Sequence, residues 1–540
     1  MIRKLVSLDI SRKIDEEAQT QWGFNSLALI EAAGRACVQV LHEEFPYFFT
    51  DLPLRILVLA GSGNNGADAL LMLRYMLLSG LSEPGYAKII VSRFPPGMQS
   101  TQIKQSITAG CKTSNKASPM ENILSSLQKM QVPAAAWNES PQQIDGYDII
   151  LDGIAGTGAR GPLEGSSREM VQNLNALTAG KIPLGKPLVV SVDLPSGLSD
   201  EWKPGMPIVR ADLSLAIEPR KYCLYNPSAR PWAGTILPVG GIFPLELVNS
   251  QNGAEFVDWE YGRELLPALK PQIHKYQRGT VEIQAGSVGY TGAAFIAARG
   301  AQAAGAGLVR LVVDPEIYPI LASRAAGIMV VSETSASGRF KPDALLLGSG
   351  WGRGAGRSAQ LEKALVEEEN GTPLVLDADG IALAKEKLFH GNTLLTPHVG
   401  EFAEYTGTAI EDILNQPVPV LLKTAEEKNV FILLKSHVMF IAAPDGRLGI
   451  VDGMMPNLAS GGSGDLLSGF CAAFAGRMFK EGKVDLYACA AAAASLFIYA
   501  GKTGELSERF TDPLELADRA AYLAGKAWLI NKPYIKGKEP

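Results

Sequence analysis

Short, wholly apolar runs recur along this chain, each followed by a glycine-rich loop and then by a helix-forming segment. That rhythm leaves few folds open. Residues 55–60 (RILVLA) lead into Gly61-Ser62-Gly63-Asn64-Asn65-Gly66-Ala67-Asp68 and then the helix-like ALLMLRYMLLSG. Runs of the same kind stand at 87–92, 147–151, 187–192 and 212–217, and again at 279–285, 308–313, 344–347, 374–376, 393–395 and 431–434. A strand that is apolar at every position, rather than at alternate ones, is covered on both faces. The expectation is α/β, with parallel sheets layered between helices. In such sheets ligands sit at the strand C-termini, where the glycine loops fall.

At 540 residues the chain exceeds one ordinary core, so two domains are expected. Periodicity fades and Pro, Gly and Asn gather at 238–256, which places the boundary there and the domains at 1–245 and 255–540. Residues 95–145, rich in Ser, Lys, Gln and Pro, read as a helix plus loops. Residues 292–305 read as a small-residue helix, and 438–451, with Pro444-Asp445-Gly446 between apolar runs, as a hairpin.

A net charge of −6 argues against a general nucleic-acid binder. Five scattered cysteines, none in a CxxC pair, fit a reducing compartment and offer no zinc site. The N-terminal sequence lacks the apolar core of a signal peptide. The Ala-rich stretch 488–500 is too short to span a bilayer. A cytoplasmic protein without a membrane partner is the expectation, with a homo-oligomer as its assembly.

The densest chemistry lies at Gly461-Gly462-Ser463-Gly464-Asp465, directly before an apolar helix-forming run. Glycines let backbone N–H groups close on an anion at a helix N-terminus. Asp465 would repel bound phosphates unless it had a task, such as taking a proton from a hydroxyl. Taken alone, the segment has a plainer alternative, a glycine turn with an Asp helix cap. In the first half, Gly61–Asp68, the loop Asp152-Gly-Ile-Ala-Gly156-Thr157-Gly158-Ala159-Arg160-Gly161-Pro162, and Asp193-Leu-Pro-Ser196-Gly197 each follow a strand. In a parallel sheet the three meet at one crevice. Their Asn, Asp and Ser oxygens suit a hard cation better than zinc.

These three motifs, in this order, resemble the NAD(P)H-hydrate epimerase domain over about residues 1–240, which implies a Rossmann-like α/β/α fold. The resemblance implies a K⁺ held by Asn65, Asp152 and Ser196. It implies substrate contacts from Asn64, Asn65, Gly66, Ala67 and Asp68, from Gly156, Thr157, Gly158, Ala159, Arg160, Gly161 and Pro162, and from Asp193, the candidate acid/base. The chain departs from the family's Gly-Gly-Asp-Gly at Gly66-Ala67-Asp68-Ala69, where two added methyls would narrow the approach to a phosphate.

The second half carries His274-Lys275, Gly286-Ser287, Thr291-Gly292-Ala293-Ala294, Gly348-Ser349-Gly350-Trp351-Gly352, Asp377-Ala378-Asp379, Thr396-Pro397-His398-Val399-Gly400-Glu401 and Lys435-Ser436. With the Gly461–Asp465 loop they resemble the ADP-dependent NAD(P)H-hydrate dehydratases, a ribokinase-like α/β/α fold, over about residues 255–540. Read singly, His398 has an alternative as a turn-capping histidine, and Asp377 and Asp379 have one as plain strand ends. The resemblance implies substrate contacts from Ala294, Gly352, His398 and Asp465, with Asp465 as the catalytic base. Lys435, Ser436, His437, Val438 and Met439 would hold the nucleotide with Gly461, Gly462 and Gly464. Mg²⁺ would accompany the nucleotide phosphates, with ADP as co-substrate and the NADHX and NADPHX hydrates as substrates. Ser436 stands where the family has Gly, Ser463 where it has Thr, and Trp351 where it has Leu. Two other readings remain: a ribokinase-like kinase that keeps its phosphorylated product, or a first domain that only binds.

Overall fold

The structure, a computed structural model, describes residues 3–95, 98, 118–139, 146–266, 268–335, 340–503 and 508–528. Cys111 and most of the stretch expected as helix plus loops at 95–145 lie outside them. The chain divides into two compact units, Met1–Ala254 and Glu255–Pro540. The tract 238–256, expected to lack regular structure, carries the helix Leu245–Asn249 and the strand Ala254–Phe256. Elements this short leave no period to read.

The first unit holds seven parallel strands in the order Ala134–Ala136, Ala87–Val91, Ile56–Ala60, Ile149–Gly153, Leu188–Val192, Leu213–Ile217, Thr235–Val239. The chain moves outward in one direction from Ile56–Ala60, then restarts on that strand's other side at Ile149–Gly153. The order reverses between these two strands, so the loops after them open a crevice, as at the switch point of Rossmann-like sheets. Alternate side chains explain the continuous apolar runs. Ile56, Val58 and Ala60 enter a core shared with the helices Ser26–Glu44, Asn64–Leu78 and Pro119–Lys129. Leu57 and Leu59 face the opposite core, with Met170, Val171 and Leu174 of Gly165–Leu177. The result is three layers, α/β/α.

The second unit repeats the device. Its strands run Met329–Ser332, Leu308–Val313, Thr280–Gln284, Ala344–Leu347, Leu374–Leu376, Thr393–Leu395, Phe431–Leu434, all parallel. The expected hairpin follows as Val438–Ala442 and Leu448–Asp452, antiparallel, with Ala254–Phe256 parallel to its outer strand. The order again reverses, between Thr280–Gln284 and Ala344–Leu347. Helix Thr291–Ala303 packs on helix Ser463–Lys480. An added methyl at Gly300 would fall 2.4 Å from the Leu466 carbonyl oxygen, so only glycine permits that approach. The Ala-rich stretch forms the buried helix Leu486–Lys502. Among the described residues no helix is long and apolar enough to cross a membrane.

Candidate active sites

In the first unit the three loops meet at the switch point. Asp152, at the end of its strand, is fully buried. Its carboxylate accepts hydrogen bonds from the Ser191 hydroxyl (2.7 Å), the Ser196 N–H (2.9 Å) and the Ile154 N–H (3.3 Å). The Ser196 hydroxyl lies 2.5 Å from Asp152 and 3.0 Å from the Ala155 carbonyl, to which the Asn65 amide also donates (3.1 Å). Burial pushes the Asp152 carboxyl up, and the Ser196 and Ser191 bonds oppose that. Asn65, Asp152 and Ser196 are thus brought together around one backbone carbonyl. Their donor set of amide, carboxylate, hydroxyl and carbonyl oxygens fits a large hard cation such as K⁺.

Above this network the helix Asn64–Leu78 begins at Gly63 with no side chain capping its first turn. Asn64, Gly158, Arg160, Gly161 and Pro162 are exposed around it, while Gly156, Thr157 and Ala159 are half-buried. A methyl on Gly156 would come 2.8 Å from Asn65 Cβ, so that glycine fixes how closely the two loops meet. Gly66 is similarly pressed against the Gly61 carbonyl. The Thr157 carbonyl accepts from Arg12 of the helix Leu8–Thr20. Ala67 and Ala69 do not narrow the crevice. Both methyls are buried in the core beneath the helix, and Ala69 packs towards Gly153.

Asp193 occupies the left-handed region at φ 66°, unusual for a residue with a side chain. Its carboxylate accepts from the Lys221 ammonium at 2.6 Å and the Ile217 N–H at 3.2 Å. The Lys221 ammonium also reaches the Ile217 carbonyl (3.0 Å). Both side chains are nearly buried. Asp68 lies beside the pair. Burial raises its carboxyl well above the usual range, the Asp193 charge adds to that, and Lys221 opposes it. Lys221 carried no signal in the sequence, because it sits on a two-residue strand, Arg220–Lys221, outside any glycine loop.

In the second unit Gly462, at φ 90°, lets the loop turn into helix Ser463–Lys480 with no side-chain cap. A methyl at Gly464 would come 3.2 Å from the Lys435 Nζ, which places that ammonium against the loop. Lys435 donates to Asp377 Oδ1 at 2.6 Å. Asp377 is further held by the hydroxyls of Thr396 (2.9 Å) and Ser349 (3.0 Å). Asp465 completes the group. Its carboxyl is pushed up to about 6, by burial first and by the Asp377 charge second, against the pull of Lys435. Glu401 is raised too, chiefly by burial.

The remaining expected residues differ in what they present. His398 caps the helix Val399–Thr406: its Nδ1 accepts from the Gly400 and Glu401 N–H groups at 3.0 and 3.2 Å. Its Nε2 lies 3.3 Å from Glu401. Gly352, at φ 78°, donates its N–H to Asp379 (2.8 Å), which also binds Arg353. Ser436 accepts the Val438 N–H (3.2 Å), closing the turn into the hairpin. His437 is exposed. Ala294, Val438 and Met439 are buried. Trp351 is core, stacked under the Arg357 guanidinium at 5.3 Å.

Two family descriptions match the chain: YjeF-related protein N-terminus over residues 26–223, and NAD(P)H-hydrate dehydratase over residues 281–520. A bifunctional NAD(P)H-hydrate repair enzyme of Moorella thermoacetica is 29% identical over 491 residues, 87% of each chain. The corresponding enzyme of Gloeobacter violaceus is 30% identical over 475 residues, covering 83% of this chain and 84% of that one. An ADP/ATP-dependent NAD(P)H-hydrate dehydratase of solved structure, from Bacillus subtilis, is 24% identical with a TM-score of 0.45, covering 50% of this chain and 98% of that one. The chain belongs to the bifunctional NAD(P)H-hydrate repair enzymes, an epimerase unit followed by a dehydratase unit.

Proposed function

We propose that the dehydratase unit uses ADP to remove water from the S hydrate of NADH or NADPH, with Asp465 as base and AMP and phosphate as products. The observation that supports this most is the placing of Asp465. It stands at an uncapped helix N-terminus beside Lys435, with a carboxyl near 6 that is mostly ionised at neutral pH. Asp465 takes the proton of the substrate's C6 hydroxyl as that oxygen attacks the terminal phosphorus of ADP. The bond to AMP breaks. Hydroxide, a poor leaving group, has then become phosphate, which departs as C5 loses a proton and the C5–C6 double bond returns. The N–H groups of Gly462 to Gly464 and the Lys435 ammonium stabilise charge on the transferred group. Among the described residues no cluster of His, Cys, Asp and Glu is arranged to hold a metal. In this reading Mg²⁺ accompanies the nucleotide phosphates.

The first unit supplies S hydrate by epimerising the R form, with Asp193 exchanging protons near C6. Asn65, Asp152 and Ser196 would hold K⁺, which supplies a fixed positive charge beside the substrate. A homo-oligomer in the cytoplasm completes the reading, testable by sedimentation and fractionation.

Mixed hydrates supplied with ADP or ATP, followed by absorbance of the reduced nicotinamide, test the whole. Full recovery with ADP supports the reading. A stable phosphorylated product without recovery would favour a kinase that keeps its product.

A further inference from the structure

The Tyr290 ring stands at the crevice of the second unit and has no task in the reaction described above. The loop Gly286–Tyr290 leaves strand Thr280–Gln284 and runs into helix Thr291–Ala303. The loop Gly348–Gly352 leaves the neighbouring strand, Ala344–Leu347. The sheet order reverses between these two strands, so both loops line the crevice. They are tied together. The Gly286 N–H donates to the Ser349 carbonyl (3.0 Å) and the Ser287 hydroxyl to the Gly350 carbonyl (2.9 Å). The Tyr290 N–H donates to the Ser287 carbonyl (2.9 Å), and a methyl on Gly350 would come 2.8 Å from Tyr290 Cβ. The backbone that carries the ring is thus fixed from two sides. The ring itself is not engaged. It is 63% exposed and does not cap the helix that follows. Among the described residues it makes no hydrogen bond and no contact with a ring or a cation. Space lies around it: a methyl at Gly289, Gly292 or Gly461 would meet nothing within 4 Å, and one at Gly352 only the Ser287 hydroxyl, at 3.9 Å. An exposed tyrosine elsewhere on a surface would be ordinary. This one is a flat face on a fixed backbone beside Ala294 and Gly352, the residues expected to touch the hydrate.

We propose that Tyr290 is a substrate-binding residue of the dehydratase whose ring stacks on a flat ring of the dinucleotide hydrate. The inference rests on the second unit being the dehydratase. Stacking needs the face of the ring and not its hydroxyl. The hydrate offers two such faces. One is its adenine. The other is the conjugated part of the hydrated ring, where N1, C2, C3 and the carboxamide stay in one plane. ADP, held in the reading above by Lys435 to Met439 and by Gly461, Gly462 and Gly464, is not the molecule stacked. A stack moves no proton and breaks no bond. It holds ground state and transition state alike, so its loss weakens KM for the hydrate and leaves kcat in place.

The test uses the full chain, with S hydrate of NADH as substrate, ADP as co-substrate and recovery of reduced nicotinamide as the readout. Tyr290→Ala should raise KM for the hydrate about tenfold or more. Its kcat and its KM for ADP should stay within about twofold of wild type. Tyr290→Phe should keep the wild-type KM, and Tyr290→Leu, apolar but not flat, should recover only part of it. The hydrate of reduced nicotinamide mononucleotide, which has no adenine, separates the two faces. A penalty in Tyr290→Ala that persists with it assigns the stack to the hydrated ring, and one that vanishes assigns it to adenine. An unchanged KM in Tyr290→Ala overturns the stack. So does a loss confined to kcat, an equal rise in KM for ADP, or a Tyr290→Phe as impaired as Tyr290→Ala. If Tyr290→Ala does not fold, Tyr290→Phe and Tyr290→Leu decide alone. A wild-type chain that recovers no reduced nicotinamide from S hydrate and ADP overturns the dehydratase reading, whereas an active wild type with an unaffected Tyr290→Ala overturns only the stack.

Discussion

Replacing Asp465 by Asn should stop dehydration and at the same time make the second unit more stable at neutral pH. The carboxyl titrates at 3.8 when unperturbed and at about 6 in the folded chain. An acid whose folded value is raised binds its proton more tightly folded than unfolded. Stability is then unaffected below the unfolded value, falls as pH rises through the interval from 3.8 to about 6, and stays lower above it. A displacement of about two pH units, at about 1.4 kcal/mol each, amounts to about 3 kcal/mol at pH 7. Asn keeps the shape but carries no charge. It escapes both the desolvation of a buried carboxylate and repulsion from Asp377, the two largest causes of the displacement.

The assay is denaturant unfolding of the second unit in wild type and Asp465→Asn, at pH 4 and pH 7. The variant should gain up to about 3 kcal/mol at pH 7 and little at pH 4. On the same protein, dehydration should fall by about 10²–10⁴-fold, the usual effect of losing a positioned base. ADP affinity should be unchanged or higher, because a negative charge beside the phosphates has gone. Equal gains at both pH values would show that charge burial is not the cause. A variant no more stable than wild type at pH 7 would refute the electrostatic argument outright.

Lys435→Met should push Asp465 further up, since the ammonium opposes its rise, and so move the acidic limb of dehydration to higher pH than in wild type. The same change leaves Asp377 buried without its cation, which should cost about 3–5 kcal/mol in an unfolding measurement. Asp152→Ala should abolish the K⁺ response of epimerisation, read as rate against K⁺ concentration, while dehydration of S hydrate continues. Ala69→Gly removes a buried methyl and adds helix flexibility, for a loss of about 1–2 kcal/mol in unfolding. It should bring no gain in epimerase KM, because that methyl points into the core.

Most strands were legible because both faces of each sheet are covered, which leaves continuous apolar runs such as Leu188–Val192. The strands that escaped lack that mark. Ala134–Ala136 is three alanines, Thr235–Val239 contains Pro238, and Met329–Ser332 is a partly exposed edge strand. Glycine loops advertised the places where backbone must approach closely, as at Gly156 and Gly464. Side chains that act on one another across elements left no pattern. The attachment of Lys435 to Asp377 spans 58 positions and that of Lys221 to Asp193 spans 28. Neither spacing has a period, so only the fold reveals them. His398 caps a helix through its Nδ1, the plainer of the two roles its motif left open.

The two units reach one electrostatic arrangement through different sheets. In each, a lysine ammonium sits 2.6 Å from one aspartate near the end of a parallel strand, Lys221 on Asp193 and Lys435 on Asp377. In each, a second aspartate from a nearby helix, Asp68 or Asp465, is pushed up by burial and by the first carboxylate, and the same lysine pulls against that. How far the second carboxyl rises sets what it can do at neutral pH. At about 6, Asp465 is mostly ionised at neutral pH, as the proposed base for a hydroxyl that attacks phosphorus must be. Asp68 is raised as well, by burial first and by the Asp193 charge second. The shared design is a lysine that holds one aspartate and pulls against the rise of a second.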